Sequence, residues 1–170
     1  MRLALPCLAL LLLAPAARAE MGEWQLALGG DYRALVLTAD PDDLTIHAPG
    51  VDAGLWYGLD DYWQLGGTVE LGVGLPPAGD PGFVGAAALE VRYVLDIVEW
   101  VPHLSAAIGA LFVSDGADVE LVVGVGGGLD YRWSRDNSIG VDLRYDFALT
   151  ALDDVSATFH AALVFSSHFE

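Results

Sequence analysis

Lysine is missing from this chain. Its positive charge rests on seven arginines, two of them within the first 19 residues, while all 24 acids come after Ala19. Beyond Ala19, five arginines face 24 acids, a net charge of −19. Such a chain is a poor partner for nucleic acid, because it has no basic surface to meet phosphates. Cysteine is almost as scarce: the single one, Cys7, lies at the start of the leading apolar run. The rest of the chain therefore has no disulfide and no thiol chemistry, which excludes the small disulfide-stapled exported domain. Long hydrophobic runs are absent too, since nothing after the leader is continuously apolar over the roughly 20 residues a membrane helix needs.

What is present conflicts with a soluble life. The 170 residues suit one domain, and 54% of them are hydrophobic, with a mean hydropathy of +0.45. Met1 to Ala19 read as a cleaved secretory signal: Arg2 gives the positive start, Leu3 to Leu13 the apolar stretch and Ala17-Arg18-Ala19 a small-x-small cleavage site. That leaves residues 20–170 as a single domain both acidic and greasy. The two properties are compatible if apolar residues alternate with polar ones on strands whose outer face meets lipid.

Alternation is what the chain shows. Trp24, Leu26, Leu28, Gly30, Tyr32, Ala34 and Val36 oppose Gln25, Ala27, Gly29, Asp31 and Arg33, the period of a strand. After a Pro/Asp-rich loop over 39–50, Val51 to Asp60 alternates again, with Trp56 as the exception on its polar side. Asp60-Asp61-Tyr62 reads as a turn before Trp63 to Leu75, the cleanest alternation in the chain. Phe83 to Asp96 follows the 76–82 loop, and Trp100-Val101-Pro102 reads as the next turn. Leu104 to Phe112 alternates less sharply, then Val119 to Trp133 and, past a turn over 134–138, Ile139 to Leu149 and Val155 to Phe165. Eight runs near the 9 to 11 residues of a membrane strand predict an eight-stranded antiparallel up-and-down transmembrane β-barrel.

Trp24, Tyr57, Trp63, Tyr93, Trp100, Tyr131, Trp133 and Phe169 gather where the turns and both termini lie. Trp and Tyr favour a membrane–water boundary because one part of the ring is apolar and another wants a hydrogen bond, so this end is expected to carry an interfacial girdle. Residues 39–50, 76–82, 114–118 and 151–154 are expected as loops at the other end, where longer loops lie outside the cell. They hold Asp40, Asp42, Asp43, Asp80, Asp115, Asp118, Asp153 and Asp154, a strongly acidic surface.

From Glu20 to Glu170 this pattern resembles the small outer-membrane barrels of the OmpA/OmpX type. The local carriers are Val91-Arg92-Tyr93-Val94-Leu95-Asp96, Trp100-Val101-Pro102 and a final strand with a terminal aromatic. The resemblance implies residence in the bacterial outer membrane among lipid and lipopolysaccharide. It also implies insertion by the barrel-assembly machinery, which in that family reads a C-terminal aromatic. Here Phe169 is penultimate, and Ser167 stands where a bulkier apolar residue is common.

Parity points Asp31, Arg33, Glu70, Glu90, Arg92, Asp130, Arg132, Asp142, Arg144 and Asp146 inward. In a narrow barrel these charges need partners, and the planar guanidinium suits carboxylates, so a lumen plugged by ion pairs is expected. The role implied is envelope integrity or surface interaction. The alternative is a narrow pore for small solutes: six carboxylates against four guanidiniums favour cations, and inward glycines such as Gly54, Gly66, Gly128 and Gly140 leave space. His160 and His168 face inward as hydrogen-bonding groups. No cofactor is expected, since Gly124-Val125-Gly126-Gly127-Gly128 lies mid-strand and fails the dinucleotide pattern. Nor is an enzyme, because nothing local joins His47, Ser114 and the loop acids into a triad.

The loop acids Asp40, Asp42 and Asp43 carry no twelve-residue calcium-loop motif and are expected as a solvated charge run; the alternative is that they hold Ca²⁺ or Mg²⁺, which prefer carboxylate oxygens, and bridge to lipopolysaccharide. A soluble lipocalin-type barrel, greasy face inward around a small ligand, is the rival fold. Extraction separates the two: the membrane barrel stays with membranes until detergent releases it, whereas release with the periplasm without detergent would favour the soluble barrel.

Overall fold

A computed structural model describes residues 21–37, 44–77, 79–95, 99–113, 119–149 and 155–170. The leader read as a signal lies outside the described residues. Eight strands follow in order: β1 (Trp24–Leu37), β2 (Leu44–Gly58), β3 (Trp63–Gly74), β4 (Gly82–Val94), β5 (Trp100–Val113), β6 (Val119–Ser134), β7 (Asn137–Ala148) and β8 (Val155–Phe169). Each pairs antiparallel with the next, and β8 returns to β1 to close the barrel. The seam runs from Trp24↔Phe169 to Leu37↔Val155, so the first and last strands are joined along almost their whole length. Closure removes the free edges a sheet otherwise presents, the condition for a sheet to exist in hydrocarbon.

Three boundaries differ from the sequence reading. Residues 44–50 are strand, not loop: Leu44 to Gly50 pair with Leu37 to Asp31 of β1, whose backbone needs a partner there. Pro49 is tolerated because the ladder to β3 is interrupted between Gly50↔Gly72 and the His47↔Leu75 bridge, so its missing N–H is not called for. Trp100, Val101 and Pro102 likewise open β5 and do not form a turn. Pro102 lies one residue past the last β4 pair, Val94↔His103, and needs only its carbonyl, which accepts from the Leu95 N–H at 2.9 Å. The turn expected over 134–138 shrinks to Arg135 and Asp136, between the paired Ser134 and Asn137. The Asp60 turn forms where expected: Asp60 Oδ1 accepts the N–H groups of Tyr62 at 2.8 Å and Trp63 at 2.9 Å.

The two faces of the sheet are inverted relative to a water-soluble barrel. Leu89 is 68% and Leu104 66% exposed, and Val51, Val125, Leu143 and Leu163 stand out from their strands in the same way. Inside, Arg33, Glu70 and Asp146 are only 2–3% exposed. A continuous apolar belt of this size is intolerable in water and natural in lipid. The lipocalin-type arrangement, with the greasy set inward, is therefore overturned. Among the described residues no helix is long and apolar enough to cross a membrane, and the crossing is made by strands.

Leu89 lies between the aromatics of the two barrel ends, close to the middle of the belt. Leu89→Arg is expected to cost about 2–4 kcal/mol in lipid, against about 0–1 for Leu75→Arg near the loop end. Reversible urea unfolding in vesicles measures both, and equal costs at the two depths would contradict a lipid-facing belt.

Candidate functional site: the barrel lumen

A barrel of eight strands is narrow enough for side chains to fill it, and this one is filled in layers. Toward the loop end is an apolar layer: Leu35 of β1, Ala48 of β2, Val84 and Ala86 of β4, Leu111 of β5 and Val122 of β6, with Ile46 and Val113 packed against it and buried Glu120 the register partner of Leu111. The sequence reading expected ionic filling alone. Val84, Leu111 and Val122 have the inward parity, but only convergence of their strands makes them one layer.

Beneath it, Glu70 of β3 sits between two guanidiniums. Its Oε1 accepts from Arg144 at 2.6 Å, and its Oε2 from Arg33. Asp146 closes the group, accepting from Arg144 Nε at 2.9 Å and from Arg33 Nη1 at 3.3 Å. Thr158 donates to Asp146 at 3.2 Å, and Thr68 accepts from Arg144 at 3.4 Å. The two planar forks thus span β1, β3, β7 and β8, with each charge matched by an opposite one.

The next layer centres on Arg92, which pairs with Glu90 on its own strand and with Asp142 at 3.4 Å. Its guanidinium lies 3.7 Å from the Trp56 ring centroid, a desolvated cation–π contact. Trp56, the apolar exception on its polar side, keeps the inward parity and is 1% exposed. Its ring lies over Gly54 and Gly66, where any Cβ would collide with it. His103 bonds Asp142 at 2.7 Å and faces Asp130 at 3.7 Å. Arg144 reaches Glu90 at 3.8 Å and links this layer to the one above.

At the turn end, Arg132 Nη2 is 3.1 Å from His168 Nδ1 and 3.6 Å from Glu23, while Ser138 Oγ lies 3.2 Å from His168 Nε2. Burial opposes ionisation of Glu23, which precedes β1, but the His168 hydrogen bond and the Arg132 charge outweigh it. The carboxyl is held below the usual carboxylate range.

Nine of the ten charges expected inside thus fall in or beside the two central layers: Asp31, Arg33, Glu70, Glu90, Arg92, Asp130, Asp142, Arg144 and Asp146. Arg132 stands apart at the turn end. Sequence reasoning omitted buried Asp52 and Glu120 from this set, although both lie on the polar side of their own alternations. Glu23 precedes any alternation and left no signal. The space that inward glycines suggested is occupied: the Asp130 side chain covers Gly140, and His103 lies against Gly128. Among the described residues, two lumen cavities have volumes of about 10 Å³ beside Asp31 and Glu70 and 20 Å³ beside Asp52 and His160, room for about one water each.

On the outer face at the turn end, Trp24 packs on Tyr57 at 4.9 Å, Trp63 on Tyr93 at 5.1 Å, Trp100 on Tyr131 at 4.9 Å and Trp133 on Phe165 at 5.6 Å, with Phe169 exposed beside them. A second set, not foreseen, lies toward the loops and includes Tyr32, Phe83, Phe112, Tyr145 and Phe147. His47 bonds the Tyr32 hydroxyl on this outer surface. Ser114, Asp40, Asp42, Asp43, Asp115, Asp118, Asp153 and Asp154 lie outside the described residues, and Asp80 is exposed.

No protein-family model matches the chain, and no curated protein matches it. Solved structures do. The outer membrane protein OprG from Pseudomonas aeruginosa superposes with a TM-score of 0.64 at 10% identity, covering 89% of this chain and 97% of that one. Neisserial surface protein A gives 0.58 at 14% identity over 86% and 97%. Ail, the attachment invasion locus protein of Yersinia pestis, gives 0.55 at 18% identity over 88% and 100%. With its lipid-facing belt and charged interior, the chain is a transmembrane β-barrel. Its fold is that of the small eight-stranded outer-membrane proteins of bacteria.

Removing Glu70 would leave two buried guanidiniums, Arg33 and Arg144, to share the Asp146 carboxylate. Glu70→Ala is expected to destabilise the barrel by about 3–5 kcal/mol, whereas Asp80→Ala stays within about 0.5 kcal/mol. Chemical unfolding of both in the same detergent tests the difference.

Proposed function

We propose that this barrel resides in a bacterial outer membrane as a closed, non-enzymatic component that supports envelope integrity or surface interaction. The observation that carries this reading is the filled lumen, in which an apolar layer lies over two layers of paired charge and the two lumen cavities among the described residues are each about the size of a water. Such an interior leaves the outer surface and the loop end as the places where the protein can act. The lumen charges then serve to plug and stiffen the barrel, and the two aromatic sets hold it at the two membrane boundaries.

Its partners on this reading are membrane lipid and lipopolysaccharide along the belt and the barrel-assembly machinery during insertion, which would read the strand ending in Phe169. The acidic loop end, including Asp40, Asp42 and Asp43, would meet anionic lipopolysaccharide through divalent cations. Two proteins of similar fold carry names that speak of the cell surface, one an attachment invasion locus protein and the other a surface protein. A cation-favouring pore is the second reading, favoured by the excess of buried acids over arginines.

Planar-bilayer recording from folded protein decides between them. Silence is expected. Steady currents that change in Arg144→Ala or Glu70→Gln would overturn the plugged barrel in favour of the pore.

A further inference from the structure

His160 of β8 lies across the seam from Arg33 of β1 and is 4% exposed. Among the described residues, neither of its ring nitrogens has a hydrogen-bond partner, and nor does Asp31 Oδ1. Buried imidazoles ordinarily find partners, because a dry polar atom forfeits its hydration for nothing. The Nε2 atom instead points between two carboxylates, 3.6 Å from Asp31 Oδ2 and 3.7 Å from Glu70 Oε2. Those separations are too long for hydrogen bonds. They are close to the roughly 3.3 Å that separates two donors on a tetrahedral ion with bonds of about 2.0–2.1 Å. One donor atom from each of Asp31, Glu70 and His160 lies within 4.8 Å of the others.

The local charge points the same way. Four buried carboxylate side chains, Asp31, Asp52, Glu70 and Asp146, stand against two guanidiniums, Arg33 and Arg144, an excess of two negative charges. A dication cancels that excess. Glu70 keeps Oε1 for Arg144 and shares Oε2 with Arg33, so one oxygen faces the imidazole while the carboxylate stays anchored.

We propose that this cluster is a divalent-metal site, with Asp31, Glu70 and His160 as protein ligands and a water from the adjoining cavity as the fourth. A set with one imidazole and two carboxylates suits a borderline ion such as Zn²⁺, and not Ca²⁺ or Mg²⁺, which take six or more oxygens. The ion would tie β1, β3 and β8 together. Because β1 and β8 close the barrel, it acts as a clamp across the seam, independently of whether the lumen conducts.

The test uses the folded barrel in detergent, stripped with chelator, with Zn²⁺ supplied both during and after refolding so that a closed lumen does not block entry. Elemental analysis and calorimetry are expected to give one zinc per chain and a raised unfolding temperature. His160→Ala and Asp31→Asn should each weaken binding by roughly tenfold or more and abolish the thermal shift, while His47→Ala and His168→Ala keep both. If His160→Ala does not fold, Asp31→Asn, which conserves shape, carries the test. Failure of the parent protein to bind zinc stoichiometrically would overturn the proposal. So would binding that survives in Asp31→Asn unchanged, which would place the ion on exposed acids.

Discussion

Everything in this structure follows from the lack of water in the hydrocarbon layer. A backbone N–H or C=O there must find its partner within the protein, and a sheet meets that demand only when its last strand returns to its first. The Trp24↔Phe169 to Leu37↔Val155 seam is that return. Closure then fixes a narrow interior, and a narrow interior decides what the inward side chains can be. Pro49 and Pro102 show how strict the accounting is: each sits where the neighbouring strand makes no demand on its nitrogen.

The interior meets a second constraint, since charges removed from water must be paired or compensated. Arg33 and Arg144 share Glu70 and Asp146, and Arg92 takes Glu90, Asp142 and the face of Trp56. Glycine supports this filling by withdrawing: Trp56 can lie flat only because Gly54 and Gly66 have no side chain beneath it. A residue type that hints at open space in a linear reading thus permits the opposite in three dimensions. Above the arginine-centred layers, Leu35, Leu111 and Val122 shield the paired charges from the loop end and lower the dielectric in which their pairing acts.

Strand number, facing and the identity of nearly all the inner charges were legible in the chain, because a period of two is written directly into residues such as Trp63 to Gly74 and cannot be shifted by one without inverting every side chain. Strand ends were less legible. Leu44 to Gly50 falls in a stretch whose Pro and Asp content marks it as loop, and only pairing with β1 makes it strand. What tertiary structure alone decided is which inward groups meet: that Glu70 stands between two arginines from β1 and β7, that the inward Trp56 lies against Arg92, and that His160 is left facing Asp31 and Glu70. Parity sends a side chain to a face, but depth along the barrel and approach across the lumen depend on the register and stagger of eight strands together, which no local pattern encodes.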